Sequence, residues 1–446
     1  MSRQLLVPVL GVALLALAGC AGGGPSPQPV TAASESASAA ALPPHPYQGQ
    51  ALPRLAGQPA WGLDPTVDSN AHSIPVWAVG DSFVFHTGRS GSHAYTFRAA
   101  ATGQVVGTVP DPLDSGSTTF ATPASTGEYL GKPVLYLRGG KTTKGDGLSP
   151  DTVVDSYDGY DAHGVAVVHT DRPKVAHYAD SLLWQNGFWT QRTDAQEIVF
   201  DAKGQQLFGA PTKNSREQGL DFTPTIVGGF AILGQDQSGG GVDVDVYDLS
   251  KPTAPAWRAG TVAPAGLTAA AGLVGVFDHK VVLGWRPGGT DAFGLEPVQF
   301  TVHDLATGRV LATTPVVHNW PTSTLSWPRP DNPTYDRTTG ALTFSGSNAK
   351  HVPVAMTFDL KTGQPLWQQG EQDAVFKPRI AVAGACYGSA SGSNATAVDA
   401  NGKVLDHDLR TSPVAVSDDG YALVTETEAA LHGLAADAWV FKGQPS

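Results

Sequence analysis

Cysteine is nearly absent. Cys20 and Cys386 are the only two in 446 residues, so no disulfide framework can hold this chain together. Charge is also scarce, at 15% of residues against a usual ~25%. The net charge is −12, with no run of Lys and Arg. That excludes nucleic acid and anionic headgroups as partners of the body. Sustained helical periodicity is missing beyond the N-terminal segment. Only EAALHGLAADA, residues 428–438, offers a short helix or a loop turn. No G-x-S-x-G elbow and no H-E-x-x-H pair occurs, which removes two common hydrolase templates. GGKTT at 139–143 lacks the glycine of a phosphate loop, because Leu135 stands in its place. The thirteen histidines are scattered without ligand spacing.

One long apolar run is present, at the start. Arg3 precedes LLVPVLGVALLAL, Leu5 to Leu17. The run is too short to span a bilayer as a helix and the right length for a signal h-region. Leu17-Ala18-Gly19-Cys20 follows and resembles the bacterial lipobox, in which cleavage leaves an acylated Cys20. The expected organisation is a signal peptide over 1–19, a lipidated Cys20 opening a tether over 20–51, and one domain over 52–446. The tether is rich in Pro, Ser and Ala and cannot bury enough surface to offset the entropy of ordering. More than one acyl chain gives stable attachment, which places the protein at the outer face of the plasma membrane, held by its lipid anchor. Cys386 is then unpaired, in the apolar stretch RIAVAGACYG, and reads as a buried inert thiol.

Glycine makes up 52 of 446 residues, about 12% against a usual ~7%. Short β-rich runs alternate with Gly, Asp, Asn and Pro turns, the pattern of an all-β fold. One phrase recurs: alternating apolar residues, an Asp, two or three linkers, a Gly, then a further strand. It reads FTVHDLATGRVLA (Asp304, Gly308), MTFDLKTGQPLW (Asp359, Gly363), EIVFDAKGQQLFG (Asp201, Gly204) and ATAVDANGKVLDH (Asp399, Gly402). Weaker copies sit at Gly103, at Asp161 with Gly164, and at Asp248. Asp bonds backbone N–H groups ahead of it and Gly accepts a positive φ, so each copy predicts a hairpin between the two outer strands of a small sheet. Upstream of each copy lies an inner apolar strand, such as DSFVFHTG, SLLWQNGFWT or RIAVAGACYG. Third strands number eight, but only seven fourth strands follow them. GQPAWGL at 57–63 matches GQPLWQQ at 363–369 and supplies the eighth, ahead of the first strand of the first sheet. The fold expected is a single β-propeller of four-stranded antiparallel blades, eight with seven as the alternative, closed by an N-terminal strand in the last blade.

The phrase D-x-x-T-G-x-x-x-W, carried best by Asp359, Thr362, Gly363 and Trp367, resembles the pyrroloquinoline-quinone-like β-propeller repeat. The resemblance implies the same fold. It does not extend to the quinone: the family's enzymes carry a disulfide between adjacent cysteines, and this chain has no Cys-Cys pair. No cofactor is expected.

Two acidic stretches and two aromatic ones remain. DTVVDSYDGYD gathers Asp151, Asp155, Asp158 and Asp161. The first three are weak calcium candidates, and a solvated loop is the alternative. VDVDVYD alternates Asp243 and Asp245 with valines and reads as a half-exposed strand at an outer edge. Trp184, Phe188 and Trp189, and Trp320 with Trp327, are either blade packing or a ligand surface. The function expected is a membrane-anchored, monomeric, non-enzymatic binding or scaffolding module with a protein or glycan partner. The alternative is an enzyme working in the central funnel, a quinone-dependent oxidoreductase or a metal-dependent hydrolase.

Overall fold

A computed structural model describes residues 45–63, 74–89, 92–112, 124–143, 152–171, 182–192, 196–211, 224–237, 241–265, 267, 271–285, 296–314, 317–320, 331–347, 353–369, 376–390, 394–426, 434–435 and 437–445. The described chain is almost wholly β, with one helical turn at Ala259–Val262. Eight antiparallel blades of four strands each, two of them with a short fifth strand, form a ring, a β-propeller. In chain order, blade 1 runs over 74–110, blade 2 over 124–171, blade 3 over 182–211, blade 4 over 225–258, blade 5 over 271–313, blade 6 over 331–368 and blade 7 over 377–409, and blade 8 begins at Thr411.

The recurring phrase folds as its chemistry requires. Asp161 Oδ1 accepts the N–H groups of His163 and Val165 at 2.9 and 3.0 Å. Asp201 holds Lys203 and Gln205 in the same way, and Asp399 holds Asn401 and Lys403. Gly164, Gly204 and Gly402 follow at φ of +72°, +81° and +76°, where a side chain would be strained. In blades 2, 3, 5, 6 and 7 an Asp–Gly turn joins the third strand to the fourth; blade 1 keeps Gly103 but has Ala99 in place of the Asp, and in blade 4 Asp248 opens a longer connection without glycine.

The eighth blade is assembled from both ends of the chain. Its first three strands are Thr411–Val416, Tyr421–Glu426 and Ala438–Lys442. Its fourth is Trp61–Leu63, paired Trp61↔Val440, Gly62↔Trp439 and Leu63↔Ala438. GQPAWGL is therefore the missing strand, and the ring has eight blades. A second link crosses the same seam. Leu434–Ala435 pairs with Ile74 and Pro75 on the inner edge of blade 1, so this part of EAALHGLAADA is strand.

The hydrophobic core is divided among the joints between neighbouring blades. Phe300, Val302 and Ala312 of blade 5 pack on Leu342, Phe344 and Phe358 of blade 6. Comparable clusters fill the other joints, including Trp61, Phe83, Phe85 and Val440 between blades 8 and 1. Because a blade is covered on both sides, strand alternation does not report exposure. Gly241–Asp248 is the third of four strands, and Asp245 is only 3% exposed. Its carboxylate lies 3.5 Å from Arg258 Nε on the adjacent strand. The expectation of a half-exposed outer-edge strand therefore fails: both neighbouring blades cover it, and a buried carboxylate requires a cation. SLLWQNGFWT is likewise two strands, Leu182–Gln185 and Phe188–Arg192, turned at Asn186 and Gly187. RIAVAGACYG is also a hairpin, turned at Ala383 and Gly384.

The tryptophan that follows the turn locks one blade to the next. Trp61 Nε1 donates to the carbonyl of Ala100, in the turn of blade 1, at 2.8 Å. Trp257 of blade 4 donates to Leu305, in the turn of blade 5, at 2.8 Å. In both, the acceptor stands one residue after the turn's first position. Thr170 of blade 2 reaches the equivalent carbonyl of Ala202. Gly308 and Gly402 face the rings of Trp257 and Trp367 so closely that a Cβ would collide with them.

Trp61→Ala removes a buried ring and orphans the Ala100 carbonyl at the closing joint. The expected loss is about 3–5 kcal/mol of unfolding free energy, measured by urea denaturation. A loss below about 1 kcal/mol would show that the joint does not hold the ring.

Candidate functional site

The residues nominated by sequence are dispersed. Asp158 pairs across the sheet with His169, Oδ1 to Nδ1 at 2.7 Å, and Asp161 is committed to its own turn. Asp155 lies on the same strand opposite Gly140, and Asp151 lies outside the described residues, as do Cys20 and Trp327. Among the described residues, no three His, Cys, Asp or Glu side chains come together as a metal site. Trp184 and Trp189 are packed between blades 2 and 3 with Tyr136 and Tyr157, and Phe188 supports the joint between blades 3 and 4. For these three, packing is the role. Trp320 ends a short strand, Val317–Trp320, beside the third strand of blade 5.

A site appears where no single stretch of sequence announced one, between blades 7 and 8. An open cavity of about 690 Å³ is lined by His45, Tyr47, Asn394, Arg410, Glu426 and Asp437, with Trp439 and Thr411 behind them. Their positions follow from strand ends. Arg410 is the single residue between the fourth strand of blade 7, Val404–Leu409, and the first of blade 8. Glu426 ends the second strand of blade 8, opposite Thr411. Asn394 and Asp437 each precede a third strand. All four stand at the same end of the ring, the end away from the Asp–Gly turns.

The fifth wall comes from the chain that enters the propeller. His45 stacks on Trp439 at 5.2 Å between ring centroids, with planes 10° apart. Tyr47 meets Trp439 and Phe441 edge-on. The Tyr47 hydroxyl donates to Gln50 O at 2.7 Å, so the Thr411 hydroxyl donates to it, also at 2.7 Å. Burial raises the Tyr47 pKa, which keeps that hydroxyl neutral. Gln50 Nε2 reaches Asp406 at 2.8 Å. Two polar groups of this wall are buried without hydrogen-bond partners, Trp439 Nε1 and His45 Nε2. His45 Nε2 stands 3.6 Å from Asp437 Oδ1. Among the described residues, neither Arg410 nor Glu426 forms an ion pair.

A smaller cavity of about 320 Å³ opens at the other end, among blades 6, 7 and 8, lined by Asp336, Arg337, Arg379 and Asp418. Its polar groups tie blades together. Arg337 pairs with Asp418, Asp336 accepts Gly384 N–H, and Asp418 N–H donates to Gly80 of blade 1.

No protein-family model matches the sequence, and no curated protein matches it. Among solved structures, the chain is similar to BamB from Moraxella catarrhalis, at 13% identity and a TM-score of 0.41, over 82% of this chain and 93% of that one. It is also similar to the computationally designed Ika8 protein, at 13% identity and a TM-score of 0.32, over 62% of this chain and 80% of that one. Likeness of that degree assigns no activity.

Two buried groups outside the cavity have defined chemistry. His303, fully buried, is stacked on Trp257 at 5.6 Å. The Gly308 carbonyl can only accept, so His303 Nδ1 carries the proton there, at 2.9 Å. Its Nε2 accepts the Thr301 hydroxyl at 2.6 Å, and Thr301 accepts Trp285 Nε1–H at 2.6 Å. Every member is satisfied with the imidazole neutral, and burial depresses its pKa. The unfolded chain, with an ordinary histidine near 6.5, therefore binds a proton first as pH falls. Stability drops from about pH 6.5 down to the depressed folded value. That slope is at most about 1.4 kcal/mol per pH unit for one proton. His303→Gln should flatten the stability profile between about pH 6.5 and 5, measured by urea denaturation; an unchanged profile would show that His303 does not contribute. Burial pushes the Cys386 thiol up to about 12. Iodoacetamide at about pH 8 should leave Cys386 unmodified in the folded protein and alkylate it in guanidinium, as read by peptide mass spectrometry. Rapid alkylation of the native protein would contradict its burial.

Proposed function

We propose that this protein is an extracytoplasmic lipoprotein, acylated at Cys20 and held at the outer face of the plasma membrane, whose propeller is a non-enzymatic binding or scaffolding module. The observation that carries the reading is the seat of residues 45–50. The chain leading back to Cys20 meets the propeller at the end that bears the longer connections and the larger cavity. Connections presented by a rigid scaffold suit recognition. The intervening chain, Pro-, Ser- and Ala-rich, is read as the tether between the anchor and the propeller. The partner inferred is a protein or glycan of the envelope.

Cys20→Ala removes the acylation nucleophile. The expected outcome is release of the protein from sedimented membranes into the soluble fraction, with an unchanged melting temperature. Persistent sedimentation of the variant would overturn the anchor.

A further inference from the structure

Resting on that reading of the propeller as a binding module, we infer that the cavity between blades 7 and 8 is a binding site for a neutral carbohydrate chain. The argument is one of charge and hydrogen-bond geometry. Arg410 at the rim opposes a cationic ligand, and Glu426 with Asp437 opposes an anionic one. Among the described residues the two signs stand in one lining, so neither a free phosphate nor an ammonium group meets a wall of the opposite sign alone. What remains is a ligand that is uncharged and rich in both donors and acceptors.

The side chains have the matching form. Asn394, Arg410, Glu426 and Asp437 each end in a planar group with two polar atoms side by side, able to engage two neighbouring hydroxyls of one sugar ring. Among the described residues, Arg410 and Glu426 have no ion-pair partners to give up. Trp439 adds a buried indole N–H with no acceptor, a cost to the fold that a ligand oxygen would relieve. The rings of His45 and Tyr47 provide apolar surface beside these groups, suited to the C–H face of a sugar. The volume, about 690 Å³, lies within the range of small-molecule sites. The site is composite. Its inner wall belongs to the propeller, and its outer wall is the entering segment His45–Gly49. A bound sugar would therefore touch both and hold the end of the tether against the ring.

The test uses the full-length acylated protein in detergent micelles on an oligosaccharide array. The array carries neutral gluco-, manno-, galacto- and N-acetylglucosamine oligomers, sulfated and uronic-acid oligomers, and tetra-alanine as a peptide probe. Retention by at least one neutral series is expected. Glu426→Gln and Asn394→Ala should each weaken it by about tenfold, the effect of one good hydrogen bond. Lys203→Ala, in the turn of blade 3 at the other end of the ring, should leave it unchanged. Melting temperatures of all three variants establish that they are folded. The inference is overturned if no neutral oligomer is retained, if acidic oligomers or tetra-alanine bind better, or if Glu426→Gln and Lys203→Ala behave alike. A silent array together with Cys20-dependent membrane retention would remove the sugar and leave the anchored module standing. Sugar binding by a protein whose membrane retention ignores Cys20 would do the reverse.

Discussion

The fold depends on three backbone pairs, Trp61↔Val440, Gly62↔Trp439 and Leu63↔Ala438. A ring of sheets has no central core. Each blade is stable because its two faces are covered by its neighbours. An open ring would expose both faces of the gap, and the apolar surface there is large: Phe83 and Phe85 on the blade 1 side, Trp61, Leu423 and Val440 on the blade 8 side. The pairing of Leu434–Ala435 with Ile74 and Pro75 adds a second tie from blade 8 to the inner edge of blade 1. Closure is thus fastened at the outer and the inner end of the same seam.

Elsewhere the ring uses one local device repeatedly. The turn between the third and fourth strands does two jobs: it returns the chain, and it presents a carbonyl to the preceding blade. Trp61, Thr170 and Trp257 all reach that carbonyl. The joint between blades 4 and 5 carries the device furthest, since Trp257 also covers the buried chain Trp285–Thr301–His303–Gly308. A polar network inside an apolar joint fixes register more strictly than packing alone. At the inner ends of the blades, Asn186 does similar work. Its amide accepts Glu128 N–H of blade 2 at 2.7 Å and donates to the Ile226 carbonyl of blade 4.

The repeat was legible because its signals are local. An Asp that caps its own turn and a Gly at positive φ leave their marks within a few residues, so the hairpins, the strand count and the displaced strand GQPAWGL could be read directly. What failed was whatever depends on a neighbouring blade. The alternation in VDVDVYD is real, but both faces are covered, so Asp245 is buried beside Arg258. Leu434–Ala435 is a two-residue strand whose partner lies some 360 positions away, and no local pattern encodes such a pairing. The aromatics around Trp184 have the composition of a binding surface and the place of a joint. The cavity was invisible for a related reason. Its lining comes from five short stretches, and each alone is an ordinary strand end.

The wall that the entering chain adds to this cavity follows from the closure. In blades 1 to 7 a short connection joins the third strand directly to the fourth, tight in all but blade 4. Blade 8 has no such turn, because its third strand ends near the C-terminus and its fourth begins near the N-terminus. Two chain segments lie side by side in its place: Leu55 bridges Gly443, Ala56 N–H donates to Lys442 and Gln444 N–H to Arg54. The incoming segment must run the height of blade 8 to reach that position. On the way it passes between blades 7 and 8, where Tyr387 donates to Pro53 and Leu52 and Leu55 join the core. At the end where it enters, His45–Gly49 forms the outer wall of the cavity. The rest of the lining comes from strand ends away from the Asp–Gly turns, so the recurring phrase prescribes none of it. The closure thus adds, between blades 7 and 8, a wall that belongs to no blade.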